Sequence, residues 1–166
     1  MDRLWTPWRY RYVSTAGDPG NACIFCAAAV SGDDRAHYVV LRAEHNFLIL
    51  NLFPYTSGHL MVAPYEHVAT LADAPMETLE EMMRLTARAE KALRGLYTPD
   101  GLNIGMNLGD AAGAGVPGHI HMHVLPRWTG DANFMTTIAE TRVLPETIEA
   151  TYERVKAALD PISGQA

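Results

Sequence analysis

Two periods of apolar residues along the chain predict strands in five segments and helices in two others. Short alternating runs, bounded by polar residues, glycine or proline, are typical of half-buried strands. These runs occur at 37–41, 47–52, 59–62, 102–108 and 119–125. Strands that mostly follow one another, with one long helix among them, predict an α+β domain with an antiparallel sheet.

Apolar residues spaced by three and four predict the two helices. The long helix is expected to have Asp73 as its N-cap, Pro75 in its first turn and Gly95 at its end. Its stripe comprises Leu79, Met82, Thr86, Ala89 and Leu93. The second is a C-terminal helix over 145–160, opened by Pro145, whose stripe comprises Leu144, Ile148, Tyr152, Val155 and Leu159. Before the first strand we expect an extended N-terminal arm over 1–20 and a short helical turn over 23–30.

Length and composition limit the classes of protein to consider. A chain of 166 residues, 48% hydrophobic and 19% charged, suits one domain spanning 1–166. Its net charge of −6 has the wrong sign for binding polymeric nucleic acid through the phosphate backbone. Neither a signal-peptide core nor an apolar run of roughly 18 residues is present, so we expect a cytoplasmic protein without membrane contact.

Three histidines at alternate positions are the most informative feature of the chain. In a strand, residues two apart share a face and lie roughly 6.6 Å apart. The imidazoles therefore point one way and the intervening side chains point into the core; the segment comprises His119, Ile120, His121, Met122, His123 and Val124. Such a face suits either a metal held by a His-x-His pair or nucleophilic catalysis by the central imidazole. A chance row of surface histidines is the third alternative.

A glycine-rich stretch, NLGDAAGAGVPG, directly precedes the histidines at residues 107–118. Glycines allow backbone N–H groups to converge on an anion, although such a stretch by itself is more often only a turn. Followed at once by three imidazoles, it predicts a phosphate-binding loop beside a nucleophile.

The segment HIHMHVL, residues 119–125, resembles the His-φ-His-φ-His-φ-φ signature of the histidine triad superfamily. The similarity extends over 23–134. LILNLFPYTSGHLMVAPYEH resembles the family's Asn…Pro-Gly-His-x-x-Val-x-Pro segment, with Ser57 in place of proline, and GLNIGMNLGD resembles its phosphate-ligand strand. The resemblance implies a nucleotide-binding enzyme that cleaves at the α-phosphate and forms homodimers whose two antiparallel sheets join.

The resemblance also assigns catalytic roles to the three histidines. It implies that His121 attacks the α-phosphate and forms a nucleotidyl-imidazole intermediate. Its Nδ1–H would bond the main-chain carbonyl of His119, which leaves Nε2 unprotonated. His123 would bond the phosphate oxygens.

Further residues of this sequence match positions that bind the nucleotide. Asn51 matches a ribose ligand, Asn107 a ligand of a phosphate or bridging oxygen, and His59 a residue near the triad. Asn51 and Asn107 are alternatively turn or strand-end residues. The whole expected nucleotide-binding set is Asn51, His59, Asn107, Gly113, Gly115 and His123.

The segment CIFC, residues 23–26, is either a redox pair or half of a zinc site. No βαβ pattern follows, so a thioredoxin-like site is disfavoured. Triad proteins with such a pair resemble galactose-1-phosphate uridylyltransferases, and this resemblance implies a structural zinc bound by Cys23, Cys26, His67 and His119. A pair that simply stays reduced is the alternative.

The chain ends indicate the branch of the family. LWTPWR and LPRWTGDANFM resemble bacterial diadenosine tetraphosphate phosphorylases and related hydrolases. The phosphoramidase branch places a serine before the triad to help an amine leave, whereas residues 114–117 here carry no hydroxyl. A polyphosphate leaves without a strong acid, so dinucleoside polyphosphates are the expected substrates. A purine nucleoside phosphoramidase and a nucleotide-binding regulatory module with little turnover are the alternatives.

The second substrate of the expected reaction is either phosphate or water. Gly115 lacks the serine hydroxyl of the phosphorylases, which favours water. Arg127 offers a charged fork of donors for phosphate, which favours phosphorolysis. We expect phosphorolysis by a narrow margin.

Overall fold

The computed structural model describes residues 23–132 and 145–160. These residues form three α-helices, five strands and one 3₁₀ turn at Asp110–Ala112. In chain order the elements are α1 (Ile24–Val30), β1 (Val39–Arg42), β2 (Asn46–Leu50), β3 (Leu60–Pro64), α2 (Met76–Tyr97), β4 (Gly101–Gly105), β5 (Met122–Arg127) and α3 (Ile148–Leu159). The arm expected over 1–20 lies outside the described residues.

The strands form one antiparallel sheet in the order β1-β2-β3-β5-β4. Its central register places Met61 of β3 opposite His123 of β5, and Gly105 of β4 opposite the same histidine. The prediction of an α+β fold with an antiparallel sheet, one long helix and a C-terminal helix is confirmed.

Both faces of the sheet are buried along β2 and β3, whereas the edge strand β4 is half-buried to exposed. Helices α2 and α3 cover one face, where Leu48, Leu60, Val62 and Val124 belong to the larger core cluster. Helix α1 covers the other face, and alternate strand residues turn towards it: Val39, Phe47, Ile49, Met61 and Ala63. Because His123 pairs with Met61, the histidines lie on the α1 face, beneath a short helix rather than in open solvent.

Element boundaries differ from the expected ones where tertiary bonds compete with local signals. Strand β5 begins at Met122, because the N–H of Ile120 donates to the carbonyl of Val68 (2.8 Å) before the ladder starts. Helix α2 has Pro75, not Asp73, at its N-cap position, since the Asp73 carboxylate instead accepts from the Thr70 hydroxyl. It also continues past Gly95 to Tyr97.

Glu81 connects the long helix to the turn between β1 and β2. Its carboxylate accepts hydrogen bonds from the main-chain N–H groups of Glu44 (3.0 Å) and His45 (2.8 Å) and from the Asn46 amide (2.9 Å). Burial raises the pKa of Glu81, but these donors outweigh it and hold the pKa below its ordinary value.

Within the described residues no helix has both the length and the hydropathy that crossing a membrane requires.

Candidate active site and metal centre

Three histidine rings, those of His59, His123 and His121, form a continuous row on the α1 face of the sheet. His59, directly before β3, lies 5.1 Å from His123 between ring centroids, and His123 lies 4.9 Å from His121. His119 precedes His121 by two residues in the chain. The strand period therefore places the expected catalytic side chains side by side, and the antiparallel neighbour β3 adds His59 to the row.

The imidazole of His121 has a defined tautomer. Its Nδ1 atom lies 2.8 Å from the main-chain oxygen of His119, so Nδ1 carries the proton and donates it to that carbonyl. Nε2 then keeps its lone pair. Burial lowers the pKa of His121, although the bond to His119 opposes this shift, and His121 is only 4% exposed. A neutral imidazole with an unprotonated Nε2 is the form that a nucleophile requires.

A second chain of hydrogen bonds sets the tautomer of His123. The main-chain N–H of Tyr55 donates to Nδ1 of His59 (3.2 Å), so His59 carries its proton on Nε2. Nε2 of His59 lies 2.9 Å from Nδ1 of His123 and donates to it. His123 in its neutral form therefore carries its own proton on Nε2.

The two asparagines expected to bind nucleotide take part in loop geometry. The side-chain oxygen of Asn51 accepts from the main-chain N–H of Phe53 (2.9 Å), and its amide nitrogen lies 3.4 Å from Nδ1 of His59. The amide of Asn107 donates to the carbonyl of Gly113 at 3.5 Å. Asn51 thus combines the turn role with a position beside the histidine row, and Asn107 closes the glycine-rich loop.

The glycine-rich loop uses several of its own N–H groups internally. The N–H of Gly113 donates to the carbonyl of Asp110 (2.9 Å), and the N–H of Ala114 donates to that of Gly109 (3.3 Å). Gly109 and Gly113 have positive φ angles of 78° and 84°, which explains why glycine stands at these turns. Of the two glycines expected to bind phosphate, Gly113 therefore has its N–H bonded within the loop.

Cys23, Cys26, His67 and His119 converge beside the histidine row, with one ligand atom from each within 4.8 Å of the others. Nδ1 of His119 lies 3.4 Å from the Cys23 sulfur and 3.3 Å from Nδ1 of His67. The Cys26 sulfur lies 3.2 Å from Nδ1 of His67. The four ligands predicted for zinc are thus brought together, although the two cysteines lie more than 40 residues from either histidine.

Four of the separations between ligand atoms, 3.2, 3.3, 3.4 and 3.7 Å, are close to those of a tetrahedral ion. Zinc, with bonds of about 2.3 Å to sulfur and about 2.0–2.1 Å to nitrogen, separates its ligand atoms by roughly 3.3–3.8 Å. Nε2 of His119 lies 2.9 Å from the carbonyl oxygen of Pro64, so Nε2 carries the proton and Nδ1 faces the cysteines as a lone pair. Burial also lowers the pKa of His119 to about 4, which favours the neutral, metal-binding form.

Two residues that the sequence did not single out shape this cluster. Phe25, between the two cysteines, places its ring 5.1 Å from the ring of His119 and 4.8 Å from that of His121. A side chain at Gly118 would lie 3.2 Å from Nε2 of His67, so glycine leaves room for that ligand. The sequence did contain a signal for Phe25, because it is the aromatic residue within CIFC. A short helix that packs on a sheet has to direct at least one large side chain inward.

Arg127, which was expected to donate to free phosphate, is bonded to two neighbouring side chains. Its guanidinium is bonded to both carboxylate oxygens of Asp131 (2.5 and 2.7 Å) and to the side-chain oxygen of Asn103 (2.6 Å). These bonds make Arg127 part of the turn after β5. The Asp131 carboxylate offsets part of the positive charge that Arg127 would offer to phosphate.

Comparison with known proteins gives a consistent result. A family model described as the HIT domain matches residues 34–130. An "AP-4-A phosphorylase" of Mycobacterium tuberculosis is 38% identical over 158 residues, covering 91% of this chain and 80% of the relative. An uncharacterised 16.1 kDa HIT-like protein of Mycoplasma pneumoniae is 32% identical over 140 residues, covering 84% of this chain and 94% of that protein.

A solved structure supports the fold. A Zn-bound histidine triad family protein from Mycobacterium smegmatis aligns with a TM-score of 0.69 and 33% sequence identity. The alignment covers 87% of this chain and 98% of the other.

Proposed function

Because the chain belongs to the histidine triad (HIT) domain family, we propose that it cleaves dinucleoside polyphosphates, such as diadenosine tetraphosphate, through a nucleotidyl-His121 intermediate. The observation that carries the proposal is the 2.8 Å bond from Nδ1 of His121 to the His119 carbonyl, which leaves Nε2 as the nucleophilic atom. The name of the M. tuberculosis relative, an AP-4-A phosphorylase, supports the substrate.

In the first step Nε2 of His121 attacks the α-phosphorus. The N–P bond forms as the bond to the bridging oxygen breaks, and the electron pair leaves with that oxygen. With diadenosine tetraphosphate the leaving group is ATP and the enzyme retains AMP. The bond to the His119 carbonyl stabilises the positive charge that grows on the ring during attack.

His123 is proposed to act on the phosphate. Its proton lies on Nε2, because Nδ1 accepts from His59, so it can donate to a phosphate oxygen as negative charge builds there. Asn51, beside His59, is proposed to bind the ribose. The loop that contains Asn107, Gly113 and Gly115 is proposed to approach the phosphates, with Gly115 as the more available backbone donor because the Gly113 N–H is bonded within the loop.

We also propose that Cys23, Cys26, His67 and His119 hold a structural zinc. Four protein ligands fill a tetrahedral site, so the metal would stabilise the fold rather than bind substrate. Its ligands would join helix α1 to the segment directly before β5, where His119 lies. The Zn-bound M. smegmatis relative supports the choice of metal.

In the second step an acceptor removes AMP from His121. Inorganic phosphate gives ADP and water gives AMP. The bonding of Arg127 to Asp131 removes one reason to favour phosphate, whereas the name of the relative with 38% identity favours it. We retain phosphorolysis as the proposal.

Product analysis tests both steps. The purified protein is incubated with diadenosine tetraphosphate, with and without millimolar phosphate, and in parallel with adenosine phosphoramidate. We expect ATP and ADP in the presence of phosphate, and slower turnover of the phosphoramidate. ATP and AMP at a rate indifferent to phosphate would make the protein a hydrolase, and preference for the phosphoramidate would exclude the proposed substrate class. Binding without turnover of either substrate would leave a nucleotide-binding module.

A further inference from the structure

Phe25 packs against a metal-cluster residue and the proposed nucleophile at the same time. Its ring centroid lies 5.1 Å from that of His119 and 4.8 Å from that of His121, at interplanar angles of 49° and 36°. Phe25 is 1% exposed, whereas its neighbour Ile24 is 49% exposed. The first turn of α1 therefore directs this one ring inward, between the two cysteines that flank it.

Helix α1 is fixed at both ends, so the position of the Phe25 ring is well defined. At its carboxyl end the guanidinium of Arg42 donates to the main-chain oxygens of Ala28, Ala29 and Ser31. Such carbonyls have no partner within a helix, and a half-buried guanidinium is a strong donor to them. At the amino end the two cysteine sulfurs lie against His67 and His119.

His121 needs packing to hold its orientation. Among the described residues its side chain has one hydrogen bond, from Nδ1 to the His119 carbonyl. A single bond leaves the ring able to swing about the line that joins the two atoms. The ring of His123, 4.9 Å away at 74°, limits this motion on one side, and the ring of Phe25 limits it on another. Offset and tilted ring contacts of this kind are favourable.

We propose that Phe25 is a positioning residue for the nucleophile. Its ring keeps the imidazole of His121 in the orientation in which Nδ1 is bonded and Nε2 is left for the substrate. Because Phe25 lies between Cys23 and Cys26, the same ring couples that orientation to the Cys/His cluster. The kinetic consequence rests on the proposed function, whereas the effect on the His121 ring does not.

Phe47 provides a matched control. It is 0% exposed and belongs to the same apolar cluster as Phe25. Its ring stacks on Tyr65 at 5.4 Å, and within the described residues its ring contacts include no histidine. Replacing either phenylalanine by leucine removes a buried aromatic ring from this cluster, so both variants report a general loss of packing.

The experiment compares Phe25→Leu with Phe47→Leu in the zinc-loaded protein. Melting temperature and zinc content report the fold, steady-state kinetics report kcat and KM, and histidine-ring ¹H–¹⁵N NMR reports which nitrogen of His121 is protonated. We expect similar falls in melting temperature in both variants. Only Phe25→Leu is expected to lower kcat, by about tenfold or more, while its KM stays within about twofold of wild type. We also expect a second set of His121 ring signals in that variant alone.

Equal effects of the two variants on kcat, together with unchanged His121 ring signals in Phe25→Leu, would overturn the proposal. If Phe25→Leu fails to fold, Phe25→Met, which preserves more of the volume, takes its place. If the wild-type protein cleaves no dinucleoside polyphosphate, the proposed function fails. The NMR comparison then decides the positioning role alone: altered ring signals support it and unaltered ones contradict it.

Discussion

The Nδ1 atom of His121 lies 2.8 Å from the main-chain oxygen of His119, and this bond joins the candidate nucleophile to a candidate metal ligand. Three groups of His119 therefore make bonds or contacts with separate consequences. Its carbonyl sets the tautomer of His121, its Nε2–H donates to the Pro64 carbonyl, and its Nδ1 faces the cysteines. The proposed chemistry and the proposed metal site therefore share one residue, and the following variants separate them.

Replacing the nucleophile tests the catalytic assignment. His121→Ala is expected to abolish turnover of diadenosine tetraphosphate while AMP binding stays within about tenfold of wild type, since His121 acts chiefly in the transition state. His123→Ala should impair both, because its Nε2–H contacts bound phosphate as well. Kinetics and calorimetric AMP titration measure the two effects, with His45→Ala as a control outside the row. A His121→Ala variant that kept a tenth of the activity would exclude covalent catalysis.

Variants at His59 test the hydrogen-bond chain to His123. His59→Gln keeps a donor at the end of the side chain, whereas His59→Phe keeps a ring and removes the donor. We expect kcat to fall by about tenfold more in His59→Phe than in His59→Gln, the size of one hydrogen bond of roughly 1.4 kcal/mol. Equal kcat values in the two variants would show that the ring matters only for packing.

Removal of metal ligands is expected to affect the fold more than the chemistry. The purified protein should carry close to one zinc per chain, and Cys23→Ser or His67→Ala should lower both zinc content and melting temperature, the latter by about 10 °C or more. Elemental analysis and thermal unfolding measure these effects. Metal-free protein that melts at the same temperature as the loaded protein would contradict the assignment.

Glu81 is expected to make stability depend on pH in the acid range. Its pKa is depressed in the folded protein, so its contribution is fully present above the ordinary carboxyl value and is lost as pH falls through the folded value. Glu81→Gln should therefore lose about 1–3 kcal/mol of unfolding free energy at pH 7, with the difference from wild type shrinking below about pH 4.5. Denaturant titrations at several pH values test this.

The exposed Glu80, whose ion pair among the described residues is with Arg84 one turn away, provides the control. Glu80→Gln should change the unfolding free energy by less than about 0.5 kcal/mol at any of these pH values. A constant gap between Glu81→Gln and wild type from pH 7 to pH 3 would show that the Glu81 charge has no part in the link between α2 and the β1–β2 turn.

Features set by local periodicity could be predicted from the sequence. The alternation of histidines with Ile120 and Val124 gave the correct faces, because side-chain direction in extended backbone depends only on residue parity. The ends of the helices were harder to predict from the sequence. The Asp73 carboxylate accepts from the Thr70 hydroxyl, so it does not cap α2. Those ends depend on competition between neighbouring polar groups, which a pattern of apolar residues does not report.

Long-range partners were the part that no local pattern revealed. Arg127 was expected to bind phosphate, but its guanidinium is held by Asp131 and by Asn103 of the neighbouring strand β4. Phe25 meets His121 only because α1 folds over the sheet face that carries the triad. The four metal ligands could be predicted from the sequence, because the resemblance of CIFC to related sites supplied the two distant histidines.

Trapping the intermediate tests the central assignment most directly. The protein is mixed with diadenosine tetraphosphate labelled at the α-phosphate, denatured within milliseconds at alkaline pH, digested, and its peptides are sequenced by mass spectrometry. We expect AMP on Nε2 of His121, and none in a parallel sample of His121→Ala. Full turnover by the wild-type protein with no labelled histidine peptide, or with the label on another residue, would contradict nucleophilic catalysis by His121.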